Sequence, residues 1–238
     1  MDTAPRRIAV VTGANRGLGF AVASALAEQE NLHVVLTARR LADAEAAAEQ
    51  LTDDNRSVQG AELDVTDASS VFRLFADVDS AHGRLDVLVN NAGVAIDKGR
   101  SPVDHDIETI QATWNTNVLG AWRCCAKAVP LMRLHRYGRI TNISSRMGSL
   151  ALTSSANSPA YRVSKAALNQ LTRVFAAEAA VDNILVNAAS PGTVGTRMNY
   201  GEPRYSPDEA ASRLLWLSLL PDSGPTGRFW DGQDSLPW

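Results

Sequence analysis

The chain of 238 residues has little surplus of charge: 23 Lys and Arg stand against 26 Asp and Glu, for a formal net charge of -3. Its basic residues are scattered along the sequence. That pattern offers no face for nucleic acid or an anionic membrane, so the expected partner is a small molecule. Cysteine is nearly absent, and the two present, Cys124 and Cys125, are adjacent within an apolar helical pattern. Neighbours cannot staple distant segments and lack the spacing of a zinc site, so the expectation is a reducing, cytoplasmic compartment and no metal. Long apolar runs are missing too: none approaches the roughly 18 residues that span a bilayer. The start, MDTAPRRIAVV, passes into a short strand behind two arginines and lacks the apolar core of roughly 7 to 15 residues of a signal peptide.

What the chain does have is a rhythm of short apolar runs: IAVV (8–11), HVVL (33–36), LDVLVN (85–90), RITNIS (139–144) and ILVNAAS (184–190). A weaker alternating run, VQGAELDV (58–65), falls between the second and third. Runs this short and this rich in Val and Ile read as strands buried on both faces. Helical patterns separate them, around Leu18 to Leu26, over 41–51, over about 104–133 and over 159–180. Strands alternating with helices imply βαβ units and a parallel sheet, because parallel neighbours need a crossover. There is no linker rich in Gly, Ser or Pro and no repeat beyond the βα unit. The expected architecture is a single α/β domain over 1–238, a doubly wound parallel sheet of about seven strands flanked by helices. Its cofactor half would cover roughly 1–135 and its catalytic and substrate half roughly 136–238.

Directly after the first strand comes TGANRGLG, with glycines at 13, 17 and 19. A glycine-rich turn between strand and helix lets backbone N–H groups and the helix N-terminus approach a pyrophosphate, which points to a dinucleotide and a Rossmann fold. At the end of the second strand, where an acid would hold the ribose 2'-hydroxyl of NAD, the chain reads VVLTARR, with Ala38 followed by Arg39. Arg16 supplies a second guanidinium from the glycine turn. Two arginines suit a 2'-phosphate, so NADP(H) is expected in preference to NAD(H). Asp64 lies at the end of the third expected strand and NNAG (90–93) closes the fourth, at the carboxyl ends where ligands sit in such sheets.

YRVSK (161–165) places Tyr161 and Lys165 four residues apart on a helix, where their side chains share a face. The pair alone is an ordinary solvated helix face. In company with TGANRGLG, Asp64, NNAG, Asn117 in TNVLG, NISS (142–145) and PGTVGT (191–196), it resembles the short-chain dehydrogenase/reductase family over nearly the whole chain. TGANRGLG, YRVSKAALN and the ending GPTGRFWDGQDSLPW are similar to that family's carbonyl-reductase-like branch. The resemblance implies that hydride passes between the nicotinamide and a carbonyl or alcohol substrate, with Tyr161 as the acid/base. It implies that Lys165 lowers the tyrosine's pKa and holds the nicotinamide ribose, that Ser145, rather than its neighbour Ser144, bonds the substrate oxygen, and that Asn117 holds a water of a proton relay. It also implies a set of cofactor contacts. These are Gly13, Asn15, Arg16, Gly17, Leu18 and Gly19 in the first turn; Arg39, Asp64 and Val65; Asn91, Ala92 and Gly93; Tyr161 and Lys165; and Pro191, Gly192, Val194 and Thr196, the last reaching the carboxamide.

Two features depart from the pattern: the segment between Ser145 and Tyr161 is rather long, and Arg197 follows Thr196 where an acid is more usual. A helix is expected to begin near Ser206, which leaves a short substrate loop. Val94, Ile96, Met147, Leu150, Thr193, Met198 and Tyr200 are the expected pocket walls, mostly apolar, suiting a hydrophobic ketone, aldehyde or quinone. A ketoacyl-thioester reductase, with Arg100, Arg146 and Arg197 meeting an acidic carrier, and a non-catalytic NADP sensor are the competing readings. The chain is compatible with a monomer or a homo-oligomer. Replacing Arg39 with Asp is expected to weaken use of NADPH far more than use of NADH, read as kcat/KM for each cofactor; equal losses would make Arg39 merely structural.

Overall fold

The computed structural model describes residues 6–53, 56–104, 106–198 and 202–238. Its strands are β1 (Arg7–Val11), β2 (Leu32–Ala38), β3 (Ser57–Glu62), β4 (Val87–Asn90), β5 (Gly138–Ile143), β6 (Ile184–Ser190), β7 (Phe229–Asp231) and β8 (Asp234–Ser235). All join one sheet in the order β3-β2-β1-β4-β5-β6-β7-β8, parallel except for the last pair. The Val- and Ile-rich runs become central strands that are buried almost throughout, as a sheet covered on both faces requires. The weaker run forms edge strand β3, half-exposed along its length. Eight strands rather than about seven are found because two polar residues, Asp234 and Ser235, fold back antiparallel on β7 without any apolar signal.

Among the described residues seven helices wrap the sheet: α1 (Gly17–Ala27), α2 (Leu41–Glu49), α3 (Ala68–His82), α4 (Ile107–Trp114), α5 (Ala121–Leu134), α6 (Pro159–Glu178) and α7 (Pro207–Ser218). Side chains of α1, α2 and α7 fill the core on one face, and those of α3, α5 and α6 fill the core on the other. The start of α7 is fixed locally by a capping box, with Ser206 and Glu209 each bonding the other's backbone N–H. Cys124 and Cys125 lie buried in α5 as free thiols, and Cys125 Sγ accepts a hydrogen bond from Asn90 Nδ2 at 3.2 Å. Burial pushes both thiols up, Cys125 to about 12. Among the described residues no helix is long and apolar enough to cross a membrane.

Three boundaries differ from the sequence reading. The helix expected over 104–133 is two helices joined by a π-helical turn, Asn115–Gly120. At that turn Gly120 packs directly on Val65, where a Cβ would come 2.8 Å from Val65 Cγ2. Strand β3 ends at Glu62, so Asp64 and Val65 belong to the turn beyond it. Helix α6 stops at Glu178, and a short 3-10 turn, Ala180–Asp182, completes the segment.

On the sheet edge, His33 of β2 bonds Ser57 Oγ of β3 at 2.7 Å through Nδ1, while its buried Nε2 has no partner. Burial foremost, then the nearby His82, hold its pKa below the usual histidine value; Gln59 acts in the opposite direction and Arg6 in the same one. A folded-state pKa below the unfolded value means that the unfolded chain takes up more protons as the pH falls through about 6.5. The stability held above that pH is therefore lost on acidification. Thermal melts at about pH 7.5 and pH 5 should show a smaller loss of Tm in His33→Gln than in the parent chain.

Candidate active site

Strand β1 lies between β2 and β4, so the crossovers from β1 and from β3 leave the sheet in opposite directions and open a crevice at the carboxyl ends of β1 and β4. The glycine turn sits there. Gly13 and Gly17 adopt φ of 61° and 59°, which glycine takes without strain. Gly19 begins the close approach of α1 to the turn, since a Cβ on it would come 2.6 Å from the Gly13 carbonyl oxygen. NNAG holds this turn from the other strand. Thr12 Oγ1 accepts hydrogen bonds from the N–H groups of Asn91 (3.0 Å) and Ala92 (2.9 Å), and Asn91 Nδ2 donates to the carbonyls of Thr12 and Gly13, both at 2.9 Å. The Asn91 amide thus shapes the turn itself. Asn15 is half-buried, Leu18 is buried, and Arg16 is exposed at the N-cap of α1 with an extended backbone.

Arg39 is exposed and forms no ion pair with the described residues, whereas Arg40 is drawn to Asp43 on the first turn of α2. That bond holds Asp43 below its ordinary carboxylate value, with a smaller contribution from nearby Arg16. Asp64 Oδ1 accepts from the Thr66 N–H and hydroxyl, and Val65 is buried.

Across the sheet, α6 and the end of β5 bring the catalytic candidates together. Tyr161 and Lys165 sit one turn apart and are both buried, with Lys165 Nζ 5.7 Å from the centre of the Tyr161 ring. Lys165 Nζ donates to the Ile143 carbonyl at 2.7 Å, two residues before Ser145. Burial brings the lysine pKa down to about 8. The two serines differ in placement: Ser144 is buried and bonds Asn169 at 2.6 Å, while half-buried Ser145 accepts from the Met147 N–H at 3.2 Å and opens the 3-10 turn Arg146–Gly148. Gly93 passes beside the pair, where a Cβ would lie 3.3 Å from Asn117 Oδ1 and 3.6 Å from Lys165 Nζ. Asn117, on the π turn, accepts from the Val94 N–H at 2.8 Å and donates to the Val94 carbonyl and to Ser164 Oγ, both at 2.9 Å. Both amide N–H donors of Asn117 are engaged.

The segment Pro191 to Thr196 closes over the glycine turn. Gly192 packs on the Tyr205 ring, Val194 pairs with Tyr205 in an isolated bridge, and a Cβ on Gly17 would be 3.3 Å from Thr196 Cγ2. Val94, Met147 and Thr193 are half-buried along the crevice, and Ile96 and Met198 are exposed. Leu150 departs from the expectation: it is 77% exposed and lines a groove against the outer face of α6 with Trp238, because the 3-10 turn carries the chain outward after Gly148. Tyr200 lies outside the described residues. Arg146 is ion-paired with Asp231 at 3.2 Å, which leaves Arg100 and Arg197 as exposed cations. Sequence reasoning missed Thr12, Ser164 and Asp97, since a threonine just past a strand, a serine in a helix and an aspartate in a loop carry no signal of the distant backbone groups they bond. No group of three or more His, Cys, Asp or Glu residues suited to a metal ion occurs among the described residues.

Comparison with known proteins agrees with this geometry. The family model of short chain dehydrogenases matches residues 7–204. Carbonyl reductase (NADPH) 1 of Sus scrofa is 31% identical over 276 aligned positions, covering 98% of this chain and 94% of the relative. Carbonyl reductase (NADPH) 3 of Homo sapiens is 34% identical, covering 90% and 91%, and salutaridine reductase of Papaver somniferum is 31% identical, covering 95% and 94%. A doubly wound sheet, a glycine turn locked by NNAG, a tyrosine and a lysine one turn apart at the mouth of the crevice, and a match across 7–204 lead to one assignment: the chain belongs to the short-chain dehydrogenase family.

Proposed function

We propose that the chain is an NADP(H)-dependent carbonyl reductase acting on a hydrophobic ketone, aldehyde or quinone, with Tyr161 as acid/base. The observation that carries this reading is the placement of Lys165. Its buried ammonium uses one donor on the Ile143 carbonyl and keeps two beside Tyr161 and the Gly93 backbone. The residues around the crevice fit a dinucleotide phosphate. Gly13 and Gly17 take left-handed φ values and Gly19 lets α1 pack close against the turn, which suits backbone N–H groups to a pyrophosphate, and Arg16 and Arg39 are exposed, with no ion pair among the described residues, where a 2'-phosphate needs cations. Carbonyl reductases among the relatives carry NADPH in their names, which supports the same cofactor here.

When bound, the nicotinamide supplies the hydride to the carbonyl carbon. The chain's own residues manage the oxygen. Ser145 donates a hydrogen bond to it, and the Tyr161 hydroxyl gives up its proton as negative charge develops there, leaving a phenolate. The ammonium of Lys165 favours that phenolate and holds the ribose hydroxyls with its free donors. Gly13, Asn15, Arg16, Gly17, Leu18 and Gly19 would cradle the pyrophosphate, and Arg39, Asp64, Val65, Asn91, Ala92 and Gly93 would line the adenosine and ribose. Pro191, Gly192, Val194 and Thr196 would cover the nicotinamide, and Asn117 would position the relay.

The test is NADPH oxidation followed at 340 nm against aldehydes, ketones, quinones and diketones. Turnover in the parent chain should fall by about 100-fold or more in Tyr161→Phe while NADPH affinity is retained; undiminished turnover in that variant refutes the proton donor. The lowered pKa of Lys165 adds a pH dependence. Deprotonation above about pH 8 removes the ammonium from the free protein, so kcat/KM for NADPH should decline on the alkaline side from that point. A profile flat through pH 9.5 would show that the ammonium is dispensable.

A further inference from the structure

Helix α6 lacks a cap of its own. Ser158, at its N-cap position, has φ 53° in the left-handed region, and its side chain caps nothing. A non-glycine residue in that region is strained, and a helix N-terminus leaves N–H groups that need acceptors. The acceptor comes from far away in sequence. Asp97, only 3% exposed in the loop after β4, receives the N–H of Ala160 at 2.7 Å and of Tyr161 at 3.3 Å on Oδ2. The same loop receives the Ser158 N–H on the Arg100 carbonyl at 3.1 Å. The other oxygen of Asp97, Oδ1, is buried and has no hydrogen-bond partner.

These bonds close a circuit. From Asp97 the loop runs back to Val94, whose N–H and carbonyl both bond Asn117; Asn117 Nδ2 donates to Ser164 Oγ, and Ser164 donates to the Tyr161 carbonyl at 2.8 Å. Tyr161 is thereby gripped at its N–H by Asp97 and at its carbonyl by Ser164. An anchor for capping alone would be met by a local Ser, Thr or Asp at N-cap, as Asp67 does for α3 and Ser206 for α7.

Resting on the reading of Tyr161 as proton donor, we propose that Asp97 is a positioning residue for the reaction: it fixes the first turn of α6 against the loop after β4, and with it the place of the Tyr161 hydroxyl over the crevice. A carboxylate at a helix N-terminus is favoured by the dipole and forms charge-assisted bonds. Its removal lets that turn relax from the strained Ser158 geometry and moves the phenol. A displacement of about 1 Å at a reacting group costs on the order of 100-fold in rate.

The test uses the full chain in four forms: parent, Asp97→Ala, Asp97→Asn and Tyr161→Phe. In Asp97→Ala, kcat should fall about 10- to 100-fold with NADPH affinity and carbonyl KM within about 3-fold of the parent. The solvent deuterium isotope effect on kcat should rise, because proton transfer from a misplaced phenol becomes limiting. Asp97→Asn, whose amide oxygen can still accept both N–H groups, should recover most of kcat. A purely structural role would lower Tm and the folded fraction without raising the isotope effect. Parent-like kcat and isotope effect in Asp97→Ala would overturn the proposal even with Tyr161→Phe inactive, whereas turnover surviving in Tyr161→Phe would overturn the proton-donor reading instead. If Asp97→Ala does not fold, Asp97→Glu decides: its longer stem keeps the charge but shifts the anchor, so parent-like kcat there also overturns the proposal.

Discussion

An ammonium group cannot leave water without a free-energy cost of several kcal/mol, and the active end of this protein is arranged around one that does. Lys165 is 4% exposed, with the Ile143 carbonyl as the acceptor for its Nζ. Burial answers in the expected direction, by lowering the pKa of the group rather than by recruiting a carboxylate. Holding the charge without a counter-ion leaves its remaining donors uncommitted. A ligand that offered hydroxyl oxygens there would satisfy the lysine and the fold together, linking its binding to stability through one side chain.

The architecture that permits this is the meeting of two sets of strand ends. Thr12 and Asn91 lock the β1 turn to the end of β4, Asn90 and Asn142 bond each other at 2.8 Å between β4 and β5, and Asn142 passes the connection to Thr172 on α6 at 2.9 Å. Several buried polar side chains in this region are tied in pairs across adjacent elements, although Asn90 Oδ1 and Thr141 Oγ1 are buried with no partner among the described residues. Such networks are rigid when satisfied and specify a single register.

Much of this was legible in the sequence because the signals are local. Val- and Ile-rich runs announced β1, β2, β4, β5 and β6, the three glycines of TGANRGLG marked the crevice, and the interval from Tyr161 to Lys165 fixed their common face once a helix was granted. What escaped was set by tertiary contacts. The π turn at Asn115–Gly120 follows from Asn117 reaching Val94 and from Gly120 packing on Val65, neither of which leaves a periodic trace. Leu150 looked like a pocket wall because it follows Ser145 closely, but the 3-10 turn after Ser145 sends it outward. Asp97 gave no sign because its partners are 63 and 64 residues away.

The two cysteines, with no part in this chemistry, bear on what the protein can tolerate. Thiolates, not thiols, add to electrophiles. Quinones and unsaturated aldehydes are electrophiles of the kind that thiolates attack. Here the chain's only two sulfhydryl groups are shut within α5 and held protonated, Cys125 against the Asn90 amide. The protein thus presents no accessible thiol, so burial shields both cysteines from any electrophile that reaches the surface.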